Sequence, residues 1–175
     1  MARADQTEIA EQIRTFGGNL RRARQGAGFT QVQLSAAAPL DRAAISRLEC
    51  GERAPDLPTL LRICDALSVE PTDLLHDIGP KTSARGPRHH GNAAANEPAA
   101  LFGANLKWAR GRAGISQERL ALDAKVDRAA ISVYENGGRE PNLRTVLKLA
   151  MKLEVRPTLL LGGIVRMTDG AGAGA

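Results

Sequence analysis

Three observations predict an all-α chain of two five-helix units in tandem, joined by a flexible linker. First, residues 16–75 align without a gap onto residues 102–161 at a constant offset of 86, and 30 of the 60 positions are identical. Second, apolar residues recur at steps of three and four, the spacing of one helix face. Third, aromatics make up 3% of a chain that is 43% hydrophobic. The cores must then be built from Leu, Ile, Val and Ala, which suits closely packed helices better than a β-sandwich. Repetition at this length marks each copy as one folding unit, near the lower size limit for a single apolar core.

The first helix carries Ile9, Ile13, Phe16, Leu20 and Ala23 on one face and breaks at Gly26 and Gly28. Residues 1–15 read as an N-terminal extension and the start of that helix. Thr30 is placed to cap a second helix over Gln31–Ala38, and Asp41 a third over Arg42–Cys50 that stops at Gly51. Pro55 and Pro58 bracket the entry to a fourth, with Leu57, Leu60, Leu61, Ile63, Cys64 and Leu67 as its inner face. Pro71 opens a last turn through Leu74 and Leu75. The second copy repeats the signals: Ser116 and Asp127 cap, Gly137 stops, Pro141 and Pro157 punctuate. Between the copies, residues 76–100 lack periodic apolar positions and read as a flexible linker, with Asn96 ahead of Glu97 and Pro98 as the expected next cap. Residues 162–175, ending in alternating Gly and Ala, read as a disordered tail.

Charge is unevenly spread. The whole chain carries net +5, but residues 1–75 hold nine basic against ten acidic side chains, and residues 101–161 hold eleven against six. A basic unit is what a polyanionic partner selects, because neutralised phosphates release counterions; it is equally what keeps a surface soluble. The two cysteines, Cys50 and Cys64, have Asn136 and Ala150 as counterparts, which argues against a disulfide framework or a repeated metal site. His89 and His90 lie beside Arg88 in the linker and fit a solvated basic run better than a metal site. No apolar run reaches membrane-spanning length and the first residues lack a signal-peptide core, so a cytoplasmic protein is expected. Nothing resembles a nucleophile–base constellation, a phosphate-cradling loop or a small-molecule site, so neither an enzyme nor a cofactor is expected.

The pattern that carries chemistry is a capped helix of about eight residues, a three-residue turn and a second capped helix, over residues 31–50 and again over 117–136. Leu34, Ala38, Leu40, Ile45 and Leu48 can meet as the inward face. That leaves Arg42, Ala43, Ser46 and Arg47 outward, matched by Arg128, Ala129, Ser132 and Val133. A short helix with an exposed arginine in its first turn fits the major groove, where a guanidinium can hold guanine O6 and N7 together. An ordinary αα-hairpin with a solvated polar face would show the same spacing. The unbroken match DRAAIS, Asp41–Ser46 against Asp127–Ser132, favours a working surface.

Both copies resemble the helix-turn-helix domain of phage repressors and Cro, the XRE family. The strings that carry the likeness are TQVQLSAAAPLDRAAISRLECGERAPDLPTLLRICDALSVEPTDLL and SQERLALDAKVDRAAISVYENGGREPNLRTVLKLAMKLEV. The resemblance implies two lambda-repressor-like domains, residues 16–75 and 101–161, that bind double-stranded DNA with the third helix in the groove. The first, second and sixth residues of that helix would face bases: Arg42, Ala43 and Arg47, then Arg128, Ala129 and Val133. Gln31 and Gln117 would touch phosphate, as would Arg53, Asn136 and Arg139 after the third helix. The buried ion pair between helices one and three maps onto Arg24–Glu49 and Arg110–Glu135.

Repeat one departs from the family at two places. Pro39 stands where the family usually has a glycine at positive φ, a slot that Lys125 fills in repeat two, so the first turn is expected to change shape or shift by one residue. Cys50 stands where the phosphate-contacting Asn136 stands in repeat two. Trp108, in the place of Arg22, is expected to pack partly on its own domain. The overall expectation is a sequence-specific DNA-binding regulator, repressor before activator, reading two non-identical half-sites. The competing expectation is an antiactivator- or antitoxin-like module whose repeat one binds protein, or a homodimer through that repeat.

Overall fold

The computed structural model describes residues 2–80 and 97–164. They form ten helices, and no strand occurs among the described residues. The chain divides into two compact units, with the boundary between Asp77 and Ile78. In unit 1 the helices are α1 (Ala2–Gly26), α2 (Gln31–Ala37), α3 (Arg42–Glu49), α4 (Leu57–Leu67) and α5 (Pro71–Leu74). In unit 2 they are α6 (Pro98–Arg112), α7 (Gln117–Ala124), α8 (Arg128–Glu135), α9 (Leu143–Lys152) and α10 (Pro157–Leu160).

Local chemistry sets the boundaries. Thr30 and Gln33 form a reciprocal capping box on α2, the Gln33 carboxamide oxygen accepting from the Thr30 amide at 2.8 Å. Ser116 accepts from the Arg119 amide at 3.1 Å on α7, and Asp56 and Asn142 cap α4 and α9 at 2.9 Å each. Asp127 caps α8 through the Ala129 amide at 3.0 Å, whereas Asp41 flanks α3 without a side-chain bond. Gly51 and Gly137, at φ 70° and 69°, reverse the chain after α3 and α8.

The α4 inner face read from spacing is the buried set found there. In unit 1, Ile13, Phe16, Leu20, Leu34 and Ile45 are wholly enclosed with it. In unit 2, Phe102, Leu106, Leu120, Ile131 and Leu147 do the same, and Phe102 meets Tyr134 edge-on at 6.0 Å. Two features seat helix one against the rest. Gly17 and Gly103 let it approach the end of the third helix so closely that a Cβ on Gly17 would lie 2.6 Å from the Leu48 and Glu49 carbonyl oxygens. Buried Asn19 donates to the Leu74 and His76 carbonyls at 3.0 and 3.1 Å, and Asn105 to Leu160 and Gly162 at 3.1 and 2.8 Å. Each asparagine ties helix one to the last turn of its unit.

Several boundaries differ from expectation. The helix start expected within residues 1–15 comes early: α1 runs unbroken from Ala2, and Ile9 is buried on its expected inner face. The expected linker 76–100 loses both ends: Ile78 is buried and α6 begins at Pro98. Residue Glu97, rather than Asn96, holds the N-cap position of α6; Asn96, His89 and His90 lie outside the described residues. The expected tail starts too early, since the Gly162 carbonyl is bonded and Ile164 is buried; its remainder, 165–175, lies outside the described residues. Leu40 is half-buried rather than enclosed.

The turn at Pro39 keeps its register. The Leu40 amide closes onto the Ser35 carbonyl at 2.9 Å, as the Val126 amide closes onto Ala121 at 3.0 Å. The adjustment is local: α2 ends one residue sooner than α7, at Ala37, and Pro39 sits at φ 22°, where Lys125 takes a left-handed 51°. A pyrrolidine ring prefers about −65°. The turn stays and the proline is strained.

Candidate nucleic-acid interface

The base of the site is a three-residue clamp closed on a buried glutamate. In unit 1 the Arg24 guanidinium reaches Glu49 through Nε at 2.5 Å and Nη2 at 3.1 Å, and donates to the Phe29 carbonyl at 2.7 Å. The Gln31 amide nitrogen donates to the same carboxylate at 2.9 Å. Unit 2 repeats this: Arg110 to Glu135 at 2.6 and 2.9 Å, Arg110 to the Ile115 carbonyl at 2.9 Å, and Gln117 to Glu135 at 2.7 Å. Burial pushes both carboxyls up, but the arginine and glutamine hydrogen bonds outweigh it and hold Glu49 and Glu135 below the usual range. The bond to the carboxylate, against burial, raises Arg24 and Arg110 in turn. One clamp thereby fixes the end of helix one, the start of helix two and the end of helix three.

On that base the outer face of the third helix is open. Arg42, Ala43 and Arg47 are exposed in unit 1, and Arg128, Ala129 and Val133 in unit 2. Ser46 and Ser132 are half-buried at the edge of the face. Arg53, Asn136 and Arg139, together with Cys50 in the Asn136 position, are exposed just beyond it. The arginines expected to enter the groove are uncovered within their own units. Gln31 and Gln117, expected on phosphate, spend one amide N–H on the clamp carboxylate, and the second remains for a phosphate oxygen.

The two faces are not alike. Arg42 has no hydrogen bond or ion pair among the described residues, whereas the Arg128 Nε meets Glu118 at 2.7 Å. Hydrogen bonds from its own backbone and from Ser116, together with Arg128, hold the Glu118 carboxyl below its usual value. The residue equivalent to Glu118 in unit 1 is Val32, an exposed hydrophobic. Trp108 is half-buried, with the Arg112 guanidinium 5.6 Å from its ring centre.

Sequence reasoning missed Glu118, Asn19, Asn105 and the second duty of Gln31 and Gln117. The paired asparagines carried a signal, a polar residue identical in both copies on an otherwise apolar face. Glu118 carried none, since its partner lies across a turn and its counterpart is valine. Cys64 is buried and Cys50 exposed, and no disulfide joins them. Among the described residues no group of three or more His, Cys, Asp or Glu gathers to hold a metal, and no helix is long and apolar enough to cross a membrane.

Two short helices at a fixed turn, tied to helix one by a clamp on a buried glutamate and offering an arginine-led outer face, define a helix-turn-helix domain. Both units belong to that class: residues 15–76 match the family model "Helix-turn-helix domain" and residues 106–160 the model "Helix-turn-helix". The chain is thus a tandem helix-turn-helix protein of XRE-like type. It is 40% identical over 63 residues to YonR, an SPbeta prophage-derived uncharacterized HTH-type transcriptional regulator of Bacillus subtilis, covering 36% of this chain and 58% of YonR. It is 33% identical over 63 residues to YqaE, an uncharacterized HTH-type transcriptional regulator of the same organism, covering 36% of this chain and 54% of YqaE. The matches span just over half the length of these relatives. A solved structure, the restriction-modification controller protein C.AhdI from Aeromonas hydrophila, is 34% identical over 37% of this chain and 97% of that one, at a TM-score of 0.35.

Proposed function

We propose that the chain is a cytoplasmic, sequence-specific DNA-binding transcriptional regulator, acting as a repressor by occupying promoter DNA. The observation that carries this reading is the open face of α3 and α8, each led by an exposed arginine and held on a clamp closed on a buried glutamate. Its relatives named as HTH-type transcriptional regulators support it. Arg42 and Arg128 read guanine; Arg47 favours a second guanine, and Val133 a thymine methyl. Gln31, Gln117, Arg53, Asn136 and Arg139 hold phosphates, while Ser46 and Ser132 border the base-reading rows. The operator is accordingly two unlike half-sites, with major-groove centres about 34 Å apart.

A second reading assigns DNA to unit 2 and a protein partner to unit 1. The acidic balance of residues 1–75, Cys50 in the place of Asn136 and exposed Val32 favour it. Selection of duplexes from a random pool by the full chain separates the two. Enrichment of two half-sites supports the first reading and enrichment of one half-site the second. No enrichment at low salt overturns both.

A further inference from the structure

We propose that Glu118 is the positioning residue that gives unit 2 its base discrimination, by presetting Arg128 for one guanine. The inference deepens the DNA-binding reading and rests on it. Glu118 lies on α7 and Arg128 opens α8, so their 2.7 Å contact bridges the turn between the two helices. Both side chains are well exposed, Arg128 at 67% and Glu118 at 58%. An ion pair so exposed adds little to stability. Its consequence is geometric instead: the carboxylate sits against the Nε side of the guanidinium, and the opposite Nη1–Nη2 edge is left for guanine O6 and N7.

The carboxylate also has a cost that sharpens selection. On a surface meant for phosphates it repels every duplex equally. Binding then depends on Arg128 finding its guanine, whose contact survives because water is excluded once the helix is seated. Unit 1 has neither part of this device. Arg42 is unpaired among the described residues, and Val32 replaces the carboxylate. A free guanidinium can settle on phosphate, O6 or N7 alike, so unit 1 tolerates more bases at its own position.

The test measures full-chain affinity for the selected operator, for operators changed at each guanine, and for a scrambled duplex. Glu118→Ala is expected to cut discrimination at one guanine of the unit 2 half-site about tenfold and to tighten scrambled binding. Glu118→Gln, which keeps an oxygen beside Nε without the charge, restores part of the discrimination. Val32→Glu creates discrimination at the matching guanine of the other half-site. Discrimination unchanged in Glu118→Ala, while Arg128→Ala abolishes it, overturns the positioning role and leaves the DNA reading intact. If Arg128→Ala also changes nothing, the base-reading assignment of α8 fails and the inference with it. Thermal melts of each variant exclude unfolding as the cause, and the gain expected in Val32→Glu cannot arise from it.

Discussion

Glu49 and Glu135 each take hydrogen bonds from an arginine of helix one and a glutamine of helix two. Each is acidified by an arginine and a glutamine that outweigh its own burial. A carboxyl whose value falls on folding binds its proton less tightly in the folded state. Its contribution is therefore whole above the ordinary glutamate range near 4.3 and is lost as pH falls through the lowered values. Melting temperature followed by circular dichroism should be flat from about pH 7 to 5 and drop steeply below about pH 4. Glu135→Gln should lower the melting temperature at neutral pH, because it leaves Arg110 largely buried without a counter-charge, a loss of about 3–5 kcal/mol. It should also flatten the acid limb; an unchanged acid limb would mean that other carboxylates carry it. The clamp also shows the limit of reading residues singly. Gln31 and Gln117 looked like surface contacts, yet each is also a structural donor, since the carboxylate it meets comes from a helix folded back beside it.

At the scale of elements, the closeness of helix one to helix three and the strain in one turn are the telling features. Gly103 packs against the Tyr134 carbonyl with no space for a side chain. Gly103→Ala should therefore force α6 and α8 apart and cost about 1–3 kcal/mol, seen as an earlier melt with unit 1 unaffected. Pro39 holds a φ of 22° in a turn whose closing bond is intact. Strain of this kind is worth about 1–3 kcal/mol, against which the lost rigidity of the unfolded chain costs about 0.4–1 kcal/mol. Pro39→Asn, which tolerates positive φ, should raise the melting temperature of unit 1 by a few degrees. A fall would show that the proline is not strained in solution. Helix order, caps and inner faces were legible because each rests on neighbours within a few residues. The α1 start was not, because residues 3–8 of that helix bury no apolar side chain and leave no spacing to read, and the placement of Glu97 at the α6 cap was not encoded in spacing either.

For the whole molecule, two copies of one fold have diverged in charge and in surface. Residues 101–161 carry the basic excess and residues 1–75 do not. Affinity for any duplex should weaken with salt, and Arg139→Ala should reduce the logarithmic salt slope by about one while weakening operator and scrambled duplex alike. A loss confined to the operator would instead make Arg139 a base reader. The conserved clamps and asparagine ties make the copies equal as folds. Val32 against Glu118, and Cys50 against Asn136, make their outer surfaces unequal.

The gapless repeat, the capping residues and the three-and-four spacing were enough to establish two helical units and the arginine-led third helix in each. These depend on torsional preference and on apolar surface leaving water, both of which act over a few residues. Which polar groups meet was settled by packing alone: Gln31 on Glu49, Asn105 on the closing turn, Glu118 on Arg128. Such contacts join side chains brought together by several helices at once, and their partners have no fixed interval along the chain.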